Sequence, residues 1–278
     1  MTAETLDHGV AVRCDRLVKL YWAATGETQA LRGVEAVFRT HTMSAVTGPS
    51  GSGKSSLLSI LALNERHTAG DLEVLGRSVS SMRTYELARF RRRNVAWVPQ
   101  RPSEALLPSL RVREQLAQVA ALRRRPAADD ALERLGLEHR RDAWVHELSG
   151  GEQQRLAVLA ATSSGARIVV ADEPTAELDD GSAALVLSEL HACAAAGACV
   201  VVATHDDRVV PHTDRVLALR HGVLSSEHRS GRSLVPIDSA GRLQLPPDAL
   251  ALFPDDRAEL VLEDGRVVLR RPDEEDGA

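Results

Sequence analysis

Residues Gly48–Ser55 read G-P-S-G-S-G-K-S and fit the pattern G-x-x-x-x-G-K-[ST]. Glycines at this spacing let backbone N–H groups turn inward and cradle phosphate oxygens. Lys54 is placed to reach the β- and γ-phosphates of a nucleotide, and the Ser55 hydroxyl to ligate Mg²⁺. Gly48, Pro49, Ser50, Gly51, Ser52, Gly53 and Ser56 complete the candidate cradle. The chain holds 19 glycines and only two lysines, Lys19 and Lys54, so a chance match is roughly a one-in-a-thousand event.

Two further clusters have chemistry of their own. Ile168–Glu173 (I-V-V-A-D-E) is an apolar strand ending in two carboxylates. At the C-terminal end of a strand both can face a phosphate site. Asp172 would hold Mg²⁺, and Glu173 would polarise an attacking water. Alone, such a strand is as often structural as functional; beside a phosphate loop it is far more specific. Leu148–Arg155 (L-S-G-G-E-Q-Q-R) is a Ser-Gly-Gly turn opening a helix, a second anion site built from Ser149, Gly150 and Gly151. One nucleotide hardly needs two cradles. The redundancy suggests that the second serves a nucleotide held by another subunit.

The elements that must position these residues follow from hydrophobic periodicity. Residues 10–20 and 31–46 alternate as strands, the latter running into the glycine loop. A helical pattern follows at Ser55–Leu63, a strand at Gly70–Leu75, a helix at 82–93 and a buried strand at Asn94–Pro99. Residues 109–148 read as mostly helical, broken at Pro126 and Gly136. Ala166–Ala171 and Ala198–Ala203 are continuous apolar runs, the form of parallel strands covered on both faces, with the helix Asp180–Ala196 between them. The fold class expected is α/β with a parallel sheet.

Composition narrows the rest. The chain has 278 residues, 44% hydrophobic and 26% charged, which excludes disorder over its whole length. No apolar run approaches the roughly 18 residues of a membrane helix. The opening MTAETLDHGV has no basic region followed by an apolar stretch, so a signal peptide is not expected. Cys14, Cys193 and Cys199 form no C-x-x-C pair and fit a reducing cytosol. Residues 231–278 carry 6 Arg against 11 acids, and residues 1–230 balance at 28 each, so neither part has the basic excess of a non-specific nucleic-acid binder.

LSGGEQQR resembles the signature sequence of ATP-binding cassette (ABC) ATPases. The resemblance spans roughly residues 10–228 and implies a P-loop NTPase fold with a helical subdomain near 104–148. By the same resemblance, Gln100 is similar to the glutamine that senses Mg²⁺ and the attacking water. Ala176–Asp179 (AELD) resembles the D-loop, with Asp179 at its end. His205 looks like the switch histidine that contacts the γ-phosphate. Tyr21 looks like the aromatic that stacks on adenine, with Trp22 a rival for that role. The motifs look most similar to cassettes of the lipoprotein-release and macrolide-export type. Three departures stand out: LAVLAATSSGARI after the signature lacks the usual Ala-Arg-Ala, Glu177 replaces a small or amide residue, and PQRP replaces an aromatic-Gln pair.

The resemblance implies an ATP hydrolase that binds ATP and Mg²⁺. Glu173, His205 and Gln100 would be catalytic, and Ser55, Asp172 and Gln100 would surround the metal. The expected partners are a second cassette chain and a transmembrane permease, with no nucleic acid, placing the chain in the cytoplasm at the inner face of the membrane. The alternative is a soluble ATPase with a regulatory or dimerising C-terminal module. The division expected is a cassette at 1–229 and a small β-rich module at 230–278 with an acidic tail. His228–Ser233 reads as a linker, Leu234–Asp238, Gly241–Leu245 and Ala258–Leu269 as short strands, and Asp264-Gly265 as a hairpin turn. Residues 233–271 resemble the swapped-hairpin barrel of AbrB-type transition-state regulators, in which two chains interlace. A plain β-rich extension packed on the cassette is the other reading.

Overall fold

The computed structural model describes residues 9–23, 26–124, 131–229, 232–235, 237, 241, 243, 245, 247–253, 257–263 and 266–271. The chain opens with three strands, β1 (Val10–Ala23), β2 (Gly26–Arg39) and β3 (Thr42–Thr47), followed by helix α1 (Lys54–Leu61). Next come β4 (Ala69–Val74), β5 (Arg77–Ser78), α2 (Thr84–Asn94) and β6 (Val95–Val98). The helices α3 (Val112–Arg123), α4 (Ala131–Arg134) and α5 (Gly150–Ser163) lead to β7 (Ile168–Asp172), α6 (Asp180–Ala195) and β8 (Cys199–Ala203). The strands β9 (Arg215–Arg220), β10 (Val223–Arg229) and β11 (Arg232–Leu234) precede α7 (Pro247–Leu250), β12 (Glu259–Glu263) and β13 (Arg266–Arg270).

The central sheet has the order β11-β10-β9-β3-β8-β7-β6, and its five strands β9, β3, β8, β7 and β6 are parallel. Every residue of β7 and β8 is buried, as the apolar runs Ile168–Ala171 and Cys199–Ala203 require, and Asp172 at the end of β7 is buried with them. Successive side chains point to opposite faces. Ile168, Val170, Cys199 and Val201 therefore join one core with α1, α2 and the antiparallel sheet β2-β1-β4-β5. Val169, Ala171, Val200 and Val202 join a second core with α3, α5 and α6. The sheet is thus sandwiched between two apolar layers, and the C-terminal ends of β3, β7 and β8 are held in register, with Val46 opposite Ala203 and Asp172 opposite Ala203.

The expected strand at 31–46 is two strands in two sheets. A turn at Thr40–His41, with His41 at φ 59°, separates β2 from β3. The alternating burial of β2 suits a sheet with one covered face, and the four consecutive buried residues of β3 suit one covered on both. The described residues of 109–148 are less helical than their composition suggests. They hold α3, α4 and two single turns at Glu138–Arg140 and Val145–Glu147, and Gly136 at φ 65° follows the end of α4. Pro126 lies outside the described residues.

At the C-terminal end, β11 pairs with β10 and extends the central sheet. Ile237 and Leu243 form an isolated antiparallel bridge, and β12 and β13 form a two-stranded hairpin with Glu263 opposite Arg266. That register leaves a two-residue connection where Asp264-Gly265 was expected to turn. Those two residues, the opening residues 1–8 and the acidic tail 272–278 lie outside the described residues. No described helix is long and apolar enough to cross a membrane.

Candidate nucleotide site

The glycine loop leaves the end of β3 and enters α1. Gly53 caps that helix at φ 102°. A Cβ there would sit 2.4 Å from the Ala30 carbonyl oxygen, and one on Gly48 would sit 2.1 Å from the Leu219 carbonyl oxygen. Only glycine fits either position, because β2 and β9 approach the loop backbone to backbone. The resulting cavity, of about 660 Å³, is lined by all nine residues Gly48–Ser56 together with Tyr21, Gln100, Glu173 and His205. Lys54 Nζ lies in the loop itself, donating to the carbonyls of Gly48 at 2.8 Å and Pro49 at 3.2 Å.

Glu173 follows β7 with a left-handed backbone, φ 50°, which costs a non-glycine residue roughly 1 kcal/mol. Its amide donates to Ala203 O at 2.9 Å, which pins the residue to the end of β8. The Glu173 carboxylate is buried and stands 2.8 Å from His205 Nδ1. The His205 amide also donates to it at 3.4 Å. The His205 ring is otherwise exposed. Asp172 is buried beside Ser55, whose hydroxyl hydrogen-bonds to it. Burial raises the Asp172 carboxyl above the ordinary range, the Glu173 charge adds to this, and Ser55 and Lys54 oppose it. Asp172 Oδ1 is buried and has no hydrogen-bond partner. A buried orphan carboxylate oxygen next to a serine hydroxyl is a donor set suited to a hard divalent cation, so these residues fit Mg²⁺.

Thr28, Gln29 and Ala30 also line the cavity, at the cradle side of β2. They belong to no motif, and nothing in the sequence marks them. Trp22 is 74% exposed and is not among the lining residues, whereas Tyr21 is. Ser149, Gly150, Gly151 and Asp179 are not among them either. Ser149 is the exposed N-cap of α5 in a reciprocal capping box. Glu152 N donates to Ser149 Oγ at 3.3 Å, and Ser149 N donates to Glu152 Oε2 at 2.8 Å. Asp179 caps α6, accepting from Ser182 N at 2.9 Å and Ser182 Oγ at 2.8 Å. These bonds hold its carboxyl below the ordinary range. Thr175 Oγ1 donates to Asp206 Oδ2 at 2.8 Å, tying the segment after Glu173 to the loop after His205.

The protein-family model described as ABC transporter matches residues 31–176, more than half of the chain. The chain belongs to the ABC transporter family. The cassette is 35% identical over 208 residues to the Macrolide export ATP-binding/permease protein MacB of Shigella flexneri, covering 73% of this chain and 32% of that protein. It is 35% identical over 225 residues to the Pyoverdine export ATP-binding/permease protein PvdT of Pseudomonas fluorescens, covering 78% and 34%. The chain thus spans about a third of the length of these curated relatives. Among solved structures it resembles a dimeric ATP-binding cassette in a post-hydrolysis state bound to ADP and Pi, at TM-score 0.73 and 27% identity, over 80% of this chain and 100% of that one. A dimeric bacterial ABC transporter cassette gives TM-score 0.72 at 27% identity, with the same coverage. Family and fold class the cassette as a P-loop ATP hydrolase.

The signature helix carries a pH dependence. Two hydrogen bonds from Arg140, at 2.8 and 3.4 Å, hold the Glu152 carboxyl down at about 2, against burial, and Ser149 assists. A depressed carboxyl stabilises the fold fully above its ordinary value of 4.5, and that contribution drains away as the pH falls toward 2. The urea midpoint of the wild type should therefore fall between pH 5 and about 3 more steeply than that of Glu152→Gln. Parallel curves would contradict this account of the helix start.

Proposed function

We propose that this chain is the ATP-hydrolysing subunit of a transporter and that it drives a separate membrane permease through ATP-dependent pairing of two cassettes. The observation that carries the catalytic half is the Glu173–His205 contact at 2.8 Å, inside the cavity that the phosphate loop lines. The loop amides and Lys54 bind the triphosphate. Tyr21 supplies the flat surface for the base. Ser55 and Asp172 would hold Mg²⁺, which neutralises phosphate charge when bound. Gln100, on the cavity wall, senses the metal and the water.

In hydrolysis the water oxygen bonds to the γ-phosphorus and the bond to the β-phosphate oxygen breaks, releasing ADP. Glu173 accepts the water's proton, and His205 keeps that carboxylate aimed. Most of the acceleration comes from positioning and charge neutralisation.

The second half rests on what the cavity lacks. Ser149 and Gly150 are exposed at a helix start, and none of Ser149–Gly151 lines the cavity that Gly48–Ser56 form. A helix N-terminus favours anions. Each ATP would sit between the loop of one chain and the signature of its partner, with Asp179 beside that boundary. The helical segment 104–148 would pass the closing motion to the permease, placing the chain at the inner face of the cell membrane. Transport rather than a soluble role is favoured by the export proteins among its relatives.

Residues 230–278 form a small module in this reading, joined to the cassette through β11, which lies beside β10 in the central sheet. We infer that it pairs with its copy in a second chain, in the manner of a swapped-hairpin barrel. Leu260 and Leu262 on β12 are 61% and 75% exposed, and Ile237 is 65% exposed, a set of apolar side chains that a second copy would cover. The excess of acids over arginines speaks against nucleic acid.

Two measurements test these readings. Glu173→Gln should lower steady-state hydrolysis by at least about 100-fold while ATP still binds, as expected for loss of a general base. Unchanged turnover would remove Glu173 from the mechanism. Light scattering should find the full chain dimeric without nucleotide and a chain cut after residue 230 monomeric. A full-length monomer would reduce the C-terminal piece to an appendage.

A further inference from the structure

One of the chain's two lysines, Lys54, belongs to the phosphate cradle; the other, Lys19, has no part in the chemistry above. Lys19 lies on β1, two residues before Tyr21. Its side chain is only 13% exposed, low for an ammonium. Nζ donates to the Arg66 carbonyl at 2.9 Å and pairs with Glu65 Oε2 at 2.9 Å. It also lies over the Tyr21 ring, 4.8 Å from the centroid, within cation–π range.

The same glutamate holds the ring by its other end. The Tyr21 hydroxyl is 2.9 Å from Glu65 Oε2 and 3.2 Å from Ser56 Oγ. It has one proton, which goes to the carboxylate, leaving the phenol oxygen to accept from Ser56. Ser56 is in the first turn of α1, next to Ser55 of the cradle. The strand is held at the same point by its backbone, since Leu20 N donates to Thr68 Oγ1 at 3.0 Å and Thr68 N to Val18 O at 2.7 Å.

We propose that Lys19 and Glu65 are positioning residues for nucleotide binding, forming a clamp that fixes the Tyr21 ring relative to the phosphate cradle and so sets the distance between the base and phosphate subsites. The proposal rests on the reading of Tyr21 as the base platform. A side chain with two free torsions would otherwise lose rotamer freedom each time a base stacked on it, and the clamp removes that loss in advance. Neither residue touches the reacting phosphate, so the clamp acts on affinity for nucleotides with a base and leaves the chemical step alone.

The experiment is titration calorimetry on the full chain with Mg-ATP and, separately, with Mg-tripolyphosphate, which has the phosphates and no base. Lys19→Met and Tyr21→Phe should each weaken ATP by about five-fold, the scale of one lost cation–π or hydrogen-bond contact, with tripolyphosphate changed less than about two-fold. Turnover of Lys19→Met at saturating ATP should stay at the wild-type value, and Lys19→Arg should recover most of the ATP affinity. Unchanged ATP binding in both variants overturns the clamp. Equal weakening of ATP and tripolyphosphate also overturns it, because the contacts would then support the cradle and not the base subsite. Tyr21→Ala separates the two layers. If it leaves ATP affinity untouched, the base-platform reading falls with the clamp; if it alone weakens ATP, the platform stands and the clamp falls.

Discussion

A phosphate cradle made of backbone amides works only if the backbone is held open against its own tendency to collapse. Here that constraint is met by two close approaches, Gly48 against Leu219 and Gly53 against Ala30. Each is closer than any side chain tolerates, and each brings a different strand to the loop. β9 belongs to the central sheet and β2 to the antiparallel one, so the loop is gripped from both layers of the protein. The sandwich around β3, β7 and β8 is what makes the grip stiff. Their fixed register delivers the loop, the Asp172–Glu173 pair and His205 to one edge of the sheet.

Electrostatics then divides the work between two neighbouring carboxylates. Asp172 is buried with an unpartnered oxygen beside Ser55, an arrangement that calls for a cation. Glu173, one residue on, turns by a strained left-handed backbone to meet His205. The left-handed turn sends two adjacent acids to different neighbours, Asp172 to Ser55 and Glu173 to His205. The signature turn is built by other means, a capping box anchored by Arg140 through Glu152, and none of Ser149, Gly150 and Gly151 lines its own chain's cavity. In the proposed pair the site would stay incomplete until two chains meet, which would couple chemistry to assembly.

Much of this was legible in the residue order. The glycine loop, the acid-ended strand and the signature are short, contiguous motifs whose chemistry depends on local backbone, and α1, β7 and β8 formed within a residue or two of the expected limits. Long-range relations were not legible. The hairpin β9–β10 has only a weak local cue, His221-Gly222 at its turn with φ of 46° and 78°, a conformation that suits tight hairpins. Thr28–Ala30 reach the cavity only through sheet pairing. Lys19 and Glu65 lie 46 positions apart and meet only in the folded chain. Residues 31–46 misled because alternation looks alike in a strand covered on one face and in the opening of one covered on both.

The central claim is that each ATP is hydrolysed between two chains, and complementation tests it most directly. Lys54→Ala destroys the cradle and spares the signature; Ser149→Arg blocks the signature and spares the cradle. Each variant alone should show steady-state ATP hydrolysis near background. A mixture made by co-expression, so that mixed pairs form, should regain a clear fraction of wild-type activity, because a mixed pair rebuilds one intact site. Substantial hydrolysis by Ser149→Arg alone, or a mixture no more active than its parts, would contradict the shared site.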